Sequence, residues 1–315
     1  MALRTLSKEA LTGQLKGEAK SLGFVACGVA QARALTEPGE HLRTWLKKRY
    51  HADMRWMEEN FAKRIDPRQY IPDAQSVIMV ALNYYQALPD QSPDEARIAR
   101  YALGRDYHDV VKKKLKLLQA WLQSKTPAAK VITFVDTAAV MEKAWAEIAG
   151  IGWIGKNGLL LTRTHGSFVV LGGLLTNQVL AYDQPHPNHC GSCTRCMQSC
   201  PTKAIVQPKV VNANKCLSYW TIESRKPQLP KAVRKKLEGR VFGCDRCQEV
   251  CPWNQKFAVP TTVPEFLDRP QNKNPKRVEL SLLTPESFQT RFTKSAVKRT
   301  KYNGFMRNVR ALTED

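Results

Sequence analysis

CGSCTRCMQSCP (190–201) and CDRCQEVCP (244–252) are the two stretches from which the rest of the chain is best read. Of nine cysteines, eight fall at 190, 193, 196, 200, 216, 244, 247 and 251, while Cys27 stands alone. In a reducing compartment such crowding points to metal rather than to disulfides.

The first stretch is a complete C-x₂-C-x₂-C-x₃-C-P run, the pattern by which bacterial two-cluster ferredoxins hold [4Fe–4S] clusters, with the fourth cysteine serving the neighbouring cluster. The three closely spaced thiolates wrap one face of a cubane, and backbone N–H groups of the tight loop are placed to stabilise its sulfurs. Proline after the last cysteine fixes φ and ends the loop. The second stretch lacks one upstream cysteine, and Cys216 supplies it. The spacing therefore assigns Cys190, Cys193, Cys196 and Cys251 to one cluster and Cys200, Cys216, Cys244 and Cys247 to the other. Paired C-x₂-C motifs also make Cys₄ zinc sites, but the triple run and the two C-x₃-C-P endings favour iron–sulfur. Cys27, inside the apolar FVACGVA, reads as a small core residue.

Outward from the cysteines, the preceding chain alternates strand and helix signals. Residues 7–22 have a helical apolar face at Leu11, Leu15, Ala19 and Leu22. FVACGVA (24–30), SVIMVALNYY (76–85) and VITFVD (131–136) read as buried strands. Helices are expected over 39–50, 106–123 and AAVMEKAWAEIAG, the last stopped by Gly150. GLLLTRT and SFVVLGGLL read as strands around a His-Gly turn. This predicts a sheet domain of α/β or α+β type over 1–180, a ferredoxin-like segment over 181–255, and a basic, proline-dotted C-terminal segment over 256–315 in which KNPKR (273–277) is an exposed loop. Three places in the first domain exceed scaffold needs. Asp136 sits at the carboxyl end of a strand, where sheets place chemistry but where a helix cap is equally natural. The glycines of GIGWIGKNG (150–158) permit close backbone approach by a ligand. ARYALGRDYH (99–108) crowds polar groups at a turn.

The 315 residues carry 49 Lys and Arg against 28 Asp and Glu, a net charge of +21. The excess is uneven, with 23 basic and 10 acidic side chains in 201–315. Such a field attracts polyanions, and nucleic acid is the common one. No apolar run approaches the ~18 residues of a membrane span, and the N-terminus lacks a signal-peptide h-region. A cytoplasmic protein without a membrane partner is expected.

YALGRDYH, FVDTAAVMEKAWAEIAGIGWIGKNGLL, GSFVVLGGLL, the cysteine array and GCDRCQEVCPWN together resemble the epoxyqueuosine reductase family, over residues 20–310, in its short form without a HEAT-like extension. The resemblance implies an α+β fold, with a nitroreductase-like sheet domain joined to a two-cluster ferredoxin-like domain and base-off cobalamin between them. It implies reduction of epoxyqueuosine to queuosine in the tRNA anticodon loop, a two-electron deoxygenation of an epoxide to an alkene. Electrons would come from a flavodoxin- or ferredoxin-type one-electron donor, and a monomer is expected. Carried over onto this chain, Asp136 becomes the proton donor, a role that calls for a carboxyl with a raised pKa. Arg100, Tyr101, Lys156 and Asn157 fall in motifs that line the corrin and substrate pocket. Lys215, Arg225, Lys226, Arg234, Lys235, Lys236, Lys298, Arg299 and Lys301 are candidates for tRNA phosphates, with a merely solvated surface as the alternative. Two other functions compete. A corrinoid reductase of a small substrate, dehalogenase-like, would turn over a free nucleoside or an organohalide. An iron–sulfur electron carrier or RNA-binding protein would take up no corrinoid.

Overall fold

The computed structural model describes residues 6–313. Its centre is a four-stranded sheet of β1 (Ala26–Gln31), β2 (Ser76–Asn83), β3 (Val131–Phe134) and β4 (Val169–Thr176), in the order β1-β2-β4-β3. Every neighbouring pair is antiparallel, so the fold is α+β. All eight residues of β2 are buried, which explains why SVIMVALN is a continuous apolar run. Its side chains alternate between two cores, as strand geometry requires. Ile78, Val80 and Leu82 meet α1 (Lys8–Ser21) and α3 (Tyr107–Lys125) through Leu11, Leu15, Leu115, Leu118 and Leu122. Val77, Met79 and Ala81 face Trp145 and Ala146 on α4 (Glu142–Ile148). The helix expected at 39–50 is α2 (Thr36–Lys47), three residues earlier.

Several expectations are corrected. The strands read in GLLLTRT and SFVVLGGLL are present on either side of the His-Gly turn, but they do not pair with each other. Leu160–Thr162 pairs instead with Gly152–Ile154, across the glycine-rich turn, and Val169–Thr176 joins the main sheet. Helix α4 begins only at Glu142 and has no side-chain cap, so Asp136 is not its cap. It does end as expected, at a left-handed Gly150 with φ +69°. KNPKR is no exposed loop: Asn274 is buried and donates to the Pro89 carbonyl, and Lys276 pairs with Asp94 at 2.8 Å.

The basic C-terminal segment is built into the fold. It folds into short helices ending in α5 (Lys301–Arg310) and packs Leu280, Phe288, Phe292, Phe305 and Val309 against Ile98, Val241 and Phe242. The cysteine-bearing segment is tied to the sheet domain by buried polar contacts. The Asn254 side chain accepts from Ser167 N at 2.7 Å and donates to Ser167 Oγ at 2.9 Å, and Ser167 Oγ donates to Gln248 at 2.9 Å. Burying these groups is tolerable because they satisfy one another.

Candidate active site

The two thiol groups predicted from spacing come together in space. Cys190, Cys193, Cys196 and Cys251 line one cavity of about 170 Å³, closed by Gly155, Lys156, Asn157, Leu161, His189 and Trp253. Cys200, Cys216, Cys244 and Cys247 form a second group, close enough that negative charge on Cys200 would disfavour charge on Cys216, and charge on Cys244 and Cys216 would disfavour it on Cys247. Burial pushes the Cys244 thiol up to about 12, and Cys247 well above the ordinary thiol value. Metal binding would therefore release protons here. Backbone N–H groups point at the sulfurs, as tight cluster loops require: Ala204 N donates to Cys200 Sγ at 3.2 Å, and Asn254 and Trp253 donate to Cys251. The sulfur-only donor set, with a cavity at its centre, fits a cluster. Cys27 packs against the main core, and burial pushes its thiol up to about 12, as an inert core residue.

Asp136 lies two residues past β3, in a left-handed conformation with φ +48°. Asp tolerates that region better than most residues. Its Oδ2 accepts from the Tyr107 hydroxyl at 2.9 Å and lies 3.1 Å from His108 Nε2. His108 Nδ1 is 2.7 Å from Asp106 Oδ1. The Asp136 backbone N–H donates to the Glu142 carboxylate. The expected raised carboxyl is not found at Asp136. Although burial opposes it, the hydrogen bond and charge of His108, the Tyr107 hydroxyl and the charge of Arg299 together hold this carboxyl below its usual value. Protons rest on its neighbours. Against the effect of burial, Asp106 and Asp136 raise His108 to about 9. Burial, reinforced by Asp136, raises Glu142 to about 8.

The Asp136 side chain is 58% exposed, and Lys143 beside it is also exposed, yet burial holds the Lys143 ammonium below its ordinary value. Both charged groups therefore reach solvent at the carboxyl end of β3. Lys143 Nζ donates to the Gly158 carbonyl at 2.8 Å. The glycine turn thus meets Lys143 at one end and, through Gly155, Lys156 and Asn157, the first thiol cavity at the other.

Other predicted residues sit differently. Lys156 donates to the Gly191 carbonyl at 2.7 Å, which places it and Asn157 at the cysteine cavity. Arg100 does not offer a free guanidinium to a ligand. It is buried, 2.8 Å from Glu249 and 3.3 Å from Asp245, and donates through Nε to the Gln86 carbonyl. Tyr101 is half-buried and stacks edge-on against Tyr107 at 5.8 Å, a contact behind the proton site.

Among the basic candidates, Arg225, Lys226, Arg234 and Lys301 line one groove of about 560 Å³, joined by Arg310, which the sequence reading missed; Arg307 also borders it but is buried, with its guanidinium donating to the Trp220, Ser224 and Lys226 carbonyls. Arg299 pairs with Glu223 at 2.9 Å and contributes charge toward Asp136. Lys215, Lys235 and Lys236 are exposed outside that groove lining, and Lys298 is half-buried. The signal that could have found Arg310 is its three-residue spacing from Arg307 on a terminal helix.

Comparison with known proteins follows the same lines. A family model described as "Epoxyqueuosine reductase QueG, DUF1730" matches residues 64–137, and one described as "4Fe-4S double cluster binding domain" matches 189–254. The chain is 48% identical to the epoxyqueuosine reductase of Synechocystis sp. over 87% of its own length and 95% of that protein. It is 43% identical to that of Leadbetterella byssophila over 99% and 100%. A crystal structure of an epoxyqueuosine reductase with an epoxyqueuosine-modified tRNA stem loop superposes with a TM-score of 0.89 at 32% identity, covering 96% of this chain and 80% of that one. The Bacillus subtilis enzyme, with its aspartate catalytic loop swung out of the active site, matches at 0.89 and 31%, with the same coverage. A catabolic reductive dehalogenase shares the fold alone, at TM-score 0.54 and 13% identity, covering 98% of this chain and 39% of that one. The chain is an oxidoreductase with an iron–sulfur double-cluster domain, and it belongs to the epoxyqueuosine reductase family.

Proposed function

We propose that this chain reduces epoxyqueuosine to queuosine in the anticodon loop of tRNA, using cobalamin bound beside Asp136 and two [4Fe–4S] clusters. The observation that carries the reading is the solvent-reaching Asp136 carboxylate paired with His108, one glycine turn away from a four-thiol cavity. Cys190, Cys193, Cys196 and Cys251 hold the first cluster; Cys200, Cys216, Cys244 and Cys247 hold the second. Single electrons enter from a flavodoxin- or ferredoxin-type donor, in the cytoplasm where tRNA is met.

A corrin's amide-fringed rim needs both donors and acceptors. The exposed Lys143 ammonium and Asp136 carboxylate offer them, next to the backbone of the Gly158 turn. Bound cobalamin supplies the low-potential centre for reducing a carbon–oxygen bond. The protein does the rest. Glu142 fixes the Asp136 loop by accepting its backbone N–H. Tyr107 and His108 aim Oδ2 of Asp136 and keep it paired. The groove of Arg225, Lys226, Arg234, Lys301 and Arg310 binds tRNA phosphates and positions the loop.

The test is anaerobic reconstitution followed by incubation with epoxyqueuosine-containing tRNA and a chemical one-electron reductant, with nucleosides read by mass spectrometry. About eight irons per chain, and queuosine formed only when cobalamin is added, are the expected results. Full iron loading with the epoxide left intact would overturn the proposal.

A further inference from the structure

We infer that His108, oriented by Asp106, is a proton relay that recharges Asp136, so that one carboxylate serves both protonations of the reaction. The inference rests on the epoxide-reduction reading above. Removing an epoxide oxygen as water breaks two C–O bonds, forms one C=C bond, and consumes two electrons and two protons. The electrons come from the one-electron donor through the clusters. One proton converts the ring-opened oxyanion to a hydroxyl, and the second leaves with that hydroxyl as water. A single carboxyl carries one proton, so a lone Asp136 must be reloaded within each turnover.

The geometry behind Asp136 supplies the reload: the pair holds one movable proton, and His108, with its side chain 32% exposed, takes each replacement from water. The His108 ring is clamped between two carboxylates, with Nε2 3.1 Å from Asp136 Oδ2 and Nδ1 2.7 Å from Asp106 Oδ1. A ring with an acceptor at each nitrogen is held as the imidazolium. Asp106 is itself fixed, since its Oδ1 also accepts the His108 backbone N–H at 3.0 Å, at the start of α3. Tyr107 stacks on the ring at 4.1 Å between centroids and donates to the same Asp136 oxygen. The remaining charged groups felt there are Glu142 and Lys143 on α4 and Arg299 on the C-terminal segment. The balance of these groups, with His108 raised to about 9 and Asp136 lowered, puts the resting proton on the ring rather than on the carboxylate. Only when an oxyanion develops, a far stronger base, does the proton pass through Asp136 Oδ2. Glu142 is also protonated near neutrality, but it is bonded to the Asp136 backbone N–H and not to the carboxylate, so it does not hand its proton to Oδ2.

Asp106 is thus a positioning residue, and Asp106→Asn separates its charge from its place. Asparagine can still cap α3, while His108 loses the carboxylate that raises it. Two readouts on the cofactor-loaded protein test the relay. In protein labelled at its histidine ring carbons, the His108 signal, assigned by its loss in His108→Gln, should titrate near 9 and move down by about one unit or more in Asp106→Asn. In turnover, His108→Gln should lower kcat on the order of 10²-fold with KM for tRNA unchanged. Added imidazole should restore part of the rate in His108→Ala, and the alkaline limb of kcat should fall to lower pH in Asp106→Asn. A His108 ring that is neutral at pH 7.5 would overturn the relay whatever the reaction. Wild-type turnover that is matched by Asp106→Asn and His108→Gln would overturn the relay alone. A wild-type protein that leaves the epoxide untouched overturns the functional reading, and the relay with it.

Discussion

At the scale of the residue, Asp136 shows how a strand end becomes a chemical group. The sequence gives two readings of it, cap and acid, and capping fails because the following helix starts six residues later, at Glu142. The acid reading needed a further correction. Phe134 and Val135 are buried, but the carboxyl turns out of that apolar layer through its left-handed backbone and meets two donors. Flanking hydrophobic residues report the burial of the backbone, not the surroundings of a side chain that leaves it. Asp136→Asn is isosteric and tolerates φ +48°, so it should fold and keep both cofactor spectra. Its single-turnover rate should fall on the order of 10²-fold or more. An unchanged rate in the cofactor-loaded variant would remove Asp136 from the proton path.

At the scale of the element, strands and helices were readable wherever an apolar period ran long enough. β2, α1 and α3 appear within a few residues of their expected bounds. The partners of the strands were not readable. A hairpin between GLLLTRT and SFVVLGGLL is locally reasonable, but Val169–Thr176 gains more by lying between β2 and β3, where its neighbours bury it on both sides. Close approach also fixes positions that a sequence does not mark. A Cβ on Gly28 of β1 would stand 1.9 Å from the Ala149 carbonyl oxygen at the end of α4. Gly28→Ala should therefore destabilise the protein by ~1–3 kcal/mol or more through overpacking, read as a lowered midpoint in urea at unchanged slope. Arg100 was misplaced for a related reason. Its acceptors Asp245 and Glu249 lie 145 and 149 residues away, and a buried ion network of that span becomes visible only when the chain has folded.

At the scale of the whole molecule, charge becomes a surface. The +21 excess says that a polyanion is attracted but not where it lies. Folding gathers Arg225, Lys226 and Arg234 from one segment and Lys301 and Arg310 from another into a single groove. If tRNA phosphates lie in it, log affinity should fall linearly with log salt concentration. The double variant Lys226→Glu, Lys301→Glu should then lower that slope by about two, measured by filter binding with unmodified tRNA. An unchanged slope would move the phosphates elsewhere.

The cysteine spacing alone pointed to the two thiol groups that the fold brings together, because a cubane loop is a local structure whose ligand geometry is written in x₂ and x₃ steps; Cys216, outside those steps, followed as the one cysteine left in the window. Apolar periodicity likewise determined the central strand and the long helices. Only the tertiary structure decided that Lys156 and Asn157 attend the thiol cavity, that Arg100 is a buried tie, and that His108 stands between two carboxylates. Those outcomes depend on which distant side chains compete for the same charge, and sequence distance does not encode that competition.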